Sequence, residues 1–259
     1  MKDEKTMWNE AAARFQRSVR EDDGGYSDNL IRFLQERGAL EPGSRVADIG
    51  CGAGKYALRF AALGCDLLVT DLAEQMIAYT MENLQGSGVQ VESALCDWSQ
   101  TLLEDRDWEK SVDLAFASMT PAVRTAADLE KLSRMARKYC YVSRFLRKQD
   151  LLPLAVAERM GVTLPKNAMG SDSLDTVRDL IDLGYLPEVR CLPYGWENRL
   201  TLEQAVSQLL SGDLGNVLRE QGREAELAAV LQTMAEPDGK IREPVKASTI
   251  WIFWSVTRY

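Results

Sequence analysis

A short apolar run that ends in glycines and reopens as a helix, Val46 to Ala57, constrains this chain more than any other segment. In VADIGCGAGKYA the first residues read as a buried strand, and Lys55 to Leu63 as a helix with Gly64 as its stop. The glycines between them are the turn of a strand-turn-helix unit. Glycine takes positive φ and lets a ligand touch the main chain, and the start of the helix offers unpaired N–H groups. Downstream come strand DLLVTD, helix AEQMIAYTMENL, strands VQVESAL and SVDLAFAS, helix AADLEKLSRMAR and strand YCYVSRF. That alternation predicts βαβ units: an α/β fold with a parallel sheet covered on both faces.

Ahead of the glycines, DNLIRFLQERG sets Leu30, Ile31, Phe33 and Leu34 on one helical face and ends at Gly38, a C-cap glycine. Beyond about residue 150 the pattern loosens into helix DTVRDLIDLG, strand EVRCLPY and a helical stretch from Thr201 to about Ala235. Thr201 and Gln204 open that stretch at capping-box spacing. The segment ASTIWIFWSVT is apolar on both alternations and predicts a fully buried strand. A chain of 259 residues suits a single domain, 1–259, with additions.

Composition removes several function classes. The net charge is −8 and the basic residues form no stripe, so neither nucleic acid nor an anionic membrane surface is an expected partner. No run reaches the ~18 apolar residues of a membrane span. The opening MKDEKTMWNEAAARF lacks the basic segment and apolar core of a secretory signal, which points to the cytoplasm. Cys51, Cys65, Cys96, Cys140 and Cys191 contain no C-x-x-C pair and read as reduced, buried thiols, neither a disulfide framework nor a zinc site. The chain has no histidine, which removes His-dependent triads, His general bases and most zinc or non-haem iron sites; no metal is expected.

The glycine spacing narrows the ligand. A dinucleotide loop is G-x-G-x-x-G, its third glycine letting helix pack on strand. Gly50, Gly52 and Gly54 instead give G-x-G-x-G, with Lys55 at the third-glycine position, and no phosphate-binding P-loop occurs. Asp48 to Gly54, DIGCGAG, resembles motif I of the class I, Rossmann-like S-adenosylmethionine-dependent methyltransferases. Asp71 at the end of the second strand and CDW, Cys96 to Trp98, after the third extend the similarity over residues 45 to about 145.

The resemblance implies a mostly parallel seven-stranded sheet whose last strand is antiparallel, with S-adenosyl-L-methionine as cofactor. Asp71 would accept from both ribose hydroxyls, though it also reads as the N-cap of the next helix. Asp97 would accept from the adenine amine and Trp98 pack on the ring, or the two are a surface acid and a core aromatic. Asp48 would orient the loop or meet the cofactor's ammonium group, and Cys51 is a small filler inside it. Leu72, beside Asp71, and Ser118, at the end of the fourth strand, complete the expected cofactor set.

The acceptor is expected to be a small molecule. Methyl transfer from a sulfonium is an in-line displacement that needs positioning more than a dedicated base, so the lack of histidine is compatible with it. ASMTPAV departs from the Asn/Asp-Pro-Pro-aromatic pattern of members that methylate base amines or glutamine amides. Met119 and Thr120 there read as substrate-side residues, or as a turn capping the next helix. Residues 1–40 form an N-terminal helical cap, 41–150 the cofactor-binding half, and 151–259 a substrate-side half with a helical insertion at about 200–240. At the root of the insertion, YGWENR offers Tyr194, Trp196 and Arg199 to a substrate, or is a surface turn. Two rival functions share these motifs: an NAD-dependent oxidoreductase and a non-catalytic S-adenosylmethionine-binding protein.

Overall fold

A computed structural model describes residues 3–20, 25–165 and 172–258. Along the chain come α1 (Glu4–Ser18), α2 (Tyr26–Gln35), β1 (Arg45–Ile49), α3 (Lys55–Ala62), β2 (Asp66–Asp71), α4 (Glu74–Asn83), β3 (Val91–Leu95), β4 (Val112–Ser118) and α5 (Ala126–Met135). There follow β5 (Ala136–Asp150), α6 (Leu151–Met160), α7 (Asp172–Asp182), β6 (Glu188–Leu200), α8 (Leu202–Leu210), α9 (Asp213–Glu220), α10 (Leu227–Thr233) and β7 (Ile241–Ser255). The sheet order is β3-β2-β1-β4-β5-β7-β6. β1 pairs in parallel with β2 and β4, β2 with β3, and β4 with β5. The last strand is antiparallel: just past its end, the Val256 N–H donates to the Lys138 carbonyl, near the start of β5, at 3.0 Å. The expected Rossmann-like α/β sheet is therefore present.

The chain divides into two compact units: Met1–Arg144 with Asp172–Cys191 and Ile250–Tyr259, and Phe145–Ser171 with Leu192–Thr249. In the first, β1 and β2 are buried along their apolar runs because helices cover both faces. Phe116 of β4 stacks on Tyr141 of β5 at 4.9 Å and meets Tyr56 and Phe60 of α3 edge-on. The buried indoles of β7 find partners, Trp251 on the Tyr26 hydroxyl at 2.6 Å and Trp254 on Ser133 at 3.0 Å. Leu30, Phe33 and Leu34 of α2 are buried and Ile31 half-buried, the face its periodicity predicts.

The second unit has its own core, in which Val156 of α6, Leu209 of α8, Leu218 of α9 and Leu231 of α10 pack around Ile241 of β7. The Thr201/Gln204 capping box forms as expected. Three features depart from expectation. β5 and β6 run further than their apolar cores suggest, and α6 follows β5 without a break. YGWENR is neither turn nor loop but part of β6: a Cβ on Gly195 would lie 2.9 Å from the Val245 carbonyl, so the glycine marks close backbone approach within a sheet. The cysteines are free as expected, but Cys191 is exposed and Cys96 only half-buried, so uniform burial of the thiols is corrected.

Candidate functional site

β1 lies between β2 and β4, and the strand order reverses there, which in an open α/β sheet places a ligand crevice beyond the carboxyl ends of those strands. The glycine loop occupies that end. Its entry is pinned by the Gly50 and Cys51 N–H groups, both donating to the Thr70 carbonyl of β2, at 2.8 and 2.9 Å. Gly50, Gly52 and Gly54 have φ of 69°, 55° and 86°, the left-handed region that side chains disfavour. Space separates the three. A Cβ on Gly50 would lie 2.0 Å from Thr120 Oγ1, and one on Gly54 3.0 Å from Thr80 Oγ1, whereas around Gly52 nothing lies within 4 Å. Two glycines are small because the protein itself packs there; Gly52 alone faces open space.

Asp71 secures that open face. Its Oδ2 accepts the Gly52 N–H at 3.0 Å and its Oδ1 the Ala73 N–H at 2.9 Å. Burial nonetheless raises its pKa above the ordinary carboxylate value, with these backbone donors opposing. Leu72 beside it is half-buried. Asp48 is fully buried and takes the backbone N–H of Ala57, a capping bond that Gly54, the N-cap of α3, has no side chain to make. Its Oδ2 has no partner among the described residues. Burial first, then the neighbouring Asp71 charge, push Asp48 up to about 8. Cys51 is a buried filler 3.6 Å from the Thr80 hydroxyl, and burial raises its thiol pKa.

Asp97 and Trp98 part company. Asp97 is exposed; its Oδ1 takes the Ser99 N–H at 2.9 Å and hydroxyl at 2.7 Å, capping a short 3-10 turn, Trp98–Gln100. Trp98 is buried, and its Nε1 has no partner among the described residues. A pocket of about 450 Å³ opens beside the turn, lined by Cys96, Asp97, Gln100, Thr101 and Arg106 among others.

The loop after β4 closes against the glycines. Ser118 Oγ lies 2.9 Å from Ser143 Oγ, and the Met119 N–H donates to the Ser143 carbonyl at 3.0 Å. Met119 has φ of 51°, unusual outside glycine. Thr120 Oγ1 accepts the Ala122 N–H at 3.2 Å while filling the space over Gly50. α1 docks beside this end. Its Lys5 pairs with Glu74 at 2.7 Å, its Asn9 accepts the Gln75 N–H at 2.9 Å, and Glu4 pairs with Arg124 beyond β4. Trp8 and Phe15 pack against a buried cluster that holds Ala53 of the loop together with Ala73 and Met76.

Tyr194, Trp196 and Arg199 belong to the second unit. There Tyr194 and Trp196 lie 5.3 Å apart and form a half-buried aromatic group with Phe145, while exposed Arg199 pairs with Glu236 and Asp238. Sequence reasoning missed Thr80, whose hydroxyl donates to the Gly52 carbonyl at 2.7 Å, and Asn83, whose amide donates to the Ala53 carbonyl at 3.0 Å. The available signal is a hydroxyl at a buried position of an amphipathic helix. No group of three or more potential metal ligands occurs among the described residues, and no helix among them is long and apolar enough to cross a membrane.

A family model described as a methyltransferase domain matches residues 46–140, from β1 into β5. The chain is similar to a ubiquinone/menaquinone biosynthesis C-methyltransferase of Bordetella parapertussis, 28% identical over 110 residues, 41% of this chain and 43% of that protein. A ubiquinone biosynthesis O-methyltransferase of Xanthomonas axonopodis pv. citri is 37% identical over 65 residues, 25% of this chain and 27% of that protein. The chain thus matches less than half the length of these curated relatives. Among solved structures, the magnesium protoporphyrin IX methyltransferase of Synechocystis with bound S-adenosylhomocysteine has a TM-score of 0.53 at 20% identity, covering 74% of this chain and 93% of that one. A methyltransferase from Aquifex aeolicus has a TM-score of 0.52 at 15% identity, covering 99% and 100%. These two likenesses show the fold alone.

Proposed function

We propose that this chain is an S-adenosylmethionine-dependent methyltransferase acting on a small-molecule acceptor. The observation that carries the reading is Gly52: its Cα faces open space while its N–H is held by Asp71, a carboxylate at the end of β2. A ligand can lie on bare backbone there with its hydroxyls against Asp71. The orphaned Asp48 Oδ2 adds a buried acceptor suited to a ligand bearing cationic groups and no phosphate. The pocket beside Asp97 offers room for the adenine, with the carboxylate at its edge. An NAD-dependent enzyme fits less well, because Lys55 stands where a dinucleotide loop has its third glycine.

When bound, the cofactor supplies a methyl group already activated by its sulfonium. What the chain's own residues do is bind and orient. Asp71 spreads its two oxygens over Gly52, Ala73 and the ribose, and Asp48, whose pKa is raised to about 8, gives up its proton to offer a carboxylate to a cationic group that binds beside it. The loop Ser118–Met119–Thr120 is the acceptor-side wall, held against the glycines by Thr120. The C- and O-methyltransferase relatives are named for ubiquinone biosynthesis and the Synechocystis structure for a porphyrin, which supports a small organic acceptor.

Titration calorimetry with S-adenosylhomocysteine and with NAD, on wild type and Asp71→Ala, tests the reading. Binding of the first but not the second, weakened at least tenfold by the substitution, is expected. NAD binding without S-adenosylhomocysteine binding overturns it. Incubation with methyl-labelled cofactor and a metabolite extract then separates an enzyme, which yields a labelled product, from a binding protein, which does not.

A further inference from the structure

Lys131 of α5 reaches out of its helix to the turn that follows β3. Its Nζ donates to the carbonyls of Trp98, Ser99 at 3.4 Å and Thr101 at 3.1 Å, and lies 5.0 Å from the centre of the Trp98 ring. An ammonium has three protons, and here they face three carbonyls that converge at the end of one short 3-10 turn, where partial negative charge accumulates. Arg134, three residues on and so on the same helix face, pairs with Glu104 and Glu109. α5 therefore grips the segment after β3 at two places, and only the Lys131 grip acts on the turn itself.

That turn carries Asp97. One carboxylate oxygen, Oδ1, is spent on Ser99; Oδ2 has no hydrogen-bond partner among the described residues. Where Oδ2 points is set by the turn, because Ser99 is both the residue that fixes Asp97 and one whose carbonyl Lys131 holds. Asp97, Gln100 and Thr101 of this segment also line the pocket of about 450 Å³. Without the ammonium the turn keeps its own two N–H···O bonds, from Gln100 to Asp97 and from Thr101 to Trp98, but loses the donor that draws its three carbonyls together.

We propose that Lys131 is the positioning residue for recognition of the cofactor's base: by holding the turn it aims Asp97 Oδ2 at an exocyclic amine, and so sets selectivity for adenine over a base with a carbonyl there. The inference rests on the proposed cofactor and deepens it. Lys131 does not touch the ligand; it acts through Asp97.

The test compares binding of S-adenosylhomocysteine with that of S-inosylhomocysteine, which carries oxygen in place of the amine, to wild type, Asp97→Asn, Lys131→Met and Lys131→Arg. Wild type should prefer the adenosyl compound about tenfold or more, and Asp97→Asn should lose most of that preference. Lys131→Met should cut the ratio to about threefold or less. Lys131→Arg, whose planar fork can meet two of the carbonyls but not three, should lie between. Amide exchange on the unliganded proteins adds a readout that needs no ligand: the Gln100 and Thr101 N–H groups, bonded within the turn, should exchange faster in Lys131→Met than in wild type. A merely structural lysine weakens both ligands equally, and an unchanged ratio overturns the inference while leaving the proposed function standing. Failure of wild type to bind S-adenosylhomocysteine at all removes both.

Discussion

Thr120 stands where a side chain on Gly50 would have to go: its Oγ1 lies 2.0 Å from the Cβ position, so the loop after β4 and the loop after β1 are interlocked through an absent side chain. Gly52, two residues on, has the same left-handed backbone and no such neighbour. Gly50→Ala must therefore meet both backbone strain and a collision, and should destabilise the protein by more than the roughly 1–2 kcal/mol that left-handed strain alone costs. Thr120→Ala should relieve part of it, giving a favourable coupling of about 0.5–3 kcal/mol in a denaturant double-mutant cycle. Gly52→Ala pays only the strain in stability, but should reduce S-adenosylhomocysteine affinity at least tenfold because its methyl enters the ligand's space. Equal losses of stability in the two glycine variants would contradict the distinction.

Thr80 links the loop to α4. Its hydroxyl donates to the Gly52 carbonyl at 2.7 Å and its side chain is what a Cβ on Gly54 would strike. Thr80→Val keeps the shape and deletes the donor, leaving a loop carbonyl short of a partner. A stability loss of about 1–3 kcal/mol follows from an unpaired group of this kind. Thr80→Ser retains the hydroxyl and should recover most of it; a serine variant as unstable as the valine one would assign the loss to packing instead.

Asp48 makes the site sensitive to pH in a definite direction. Its folded-state pKa is raised from 3.8 to about 8, so between these values the folded protein holds a proton that the unfolded chain releases. Stability of the unliganded protein should fall as pH rises through that window, and Asp71, raised by the same cause of burial, adds the same sign. Ligand binding runs the other way. A cationic group favours the ionised carboxylate, so S-adenosylhomocysteine affinity should climb from pH 5.5 to 8, by at most tenfold per unit for one released proton. Asp48→Asn, which can still accept the Ala57 N–H, should flatten both profiles. Calorimetry across this range reads the binding slope and thermal melts read the stability slope.

The first half of the chain was legible because its signals are local. Asp66–Asp71 coincides with the run DLLVTD, and Lys55 opens α3 where the glycines stop. β1, β2 and β4 are buried on both faces and bounded by turns, so apolar run length and element length agree there. β5, β6 and β7 broke that agreement. β7 is buried residue after residue from Thr249 to Trp254 but alternates from Ile241 to Lys246, so its apolar half alone looked like the strand. At Gly195 the usual sense of glycine as a breaker was wrong because the backbone of β7 approaches it. At the site, the glycine spacing gave away the loop but not which glycine has open space before it. That depends on Thr80 and Thr120, 26 and 66 residues beyond Gly54, and no local pattern reports it.

The second unit offers its own test in Glu243. It is buried at 3% exposure on β7, and its carboxylate takes the side-chain amide of Asn198 at 2.7 Å and that of Gln208. Among the described residues no cation pairs with it, and the two donors that hold it are neutral amides. Glu243→Gln keeps the volume but turns an acceptor into a group with a donor end, which must face one of the two amides. One hydrogen bond is then lost in a buried place, at about 1–3 kcal/mol. Glu243→Leu strands both amides and should cost more. Because this unit's core of α6, α8, α9 and α10 does not contain the glycine loop, Glu243→Gln should leave S-adenosylhomocysteine affinity within about twofold of wild type while lowering the melting temperature by several degrees. A variant that loses cofactor affinity without losing stability would place Glu243 in the cofactor site and refute this assignment.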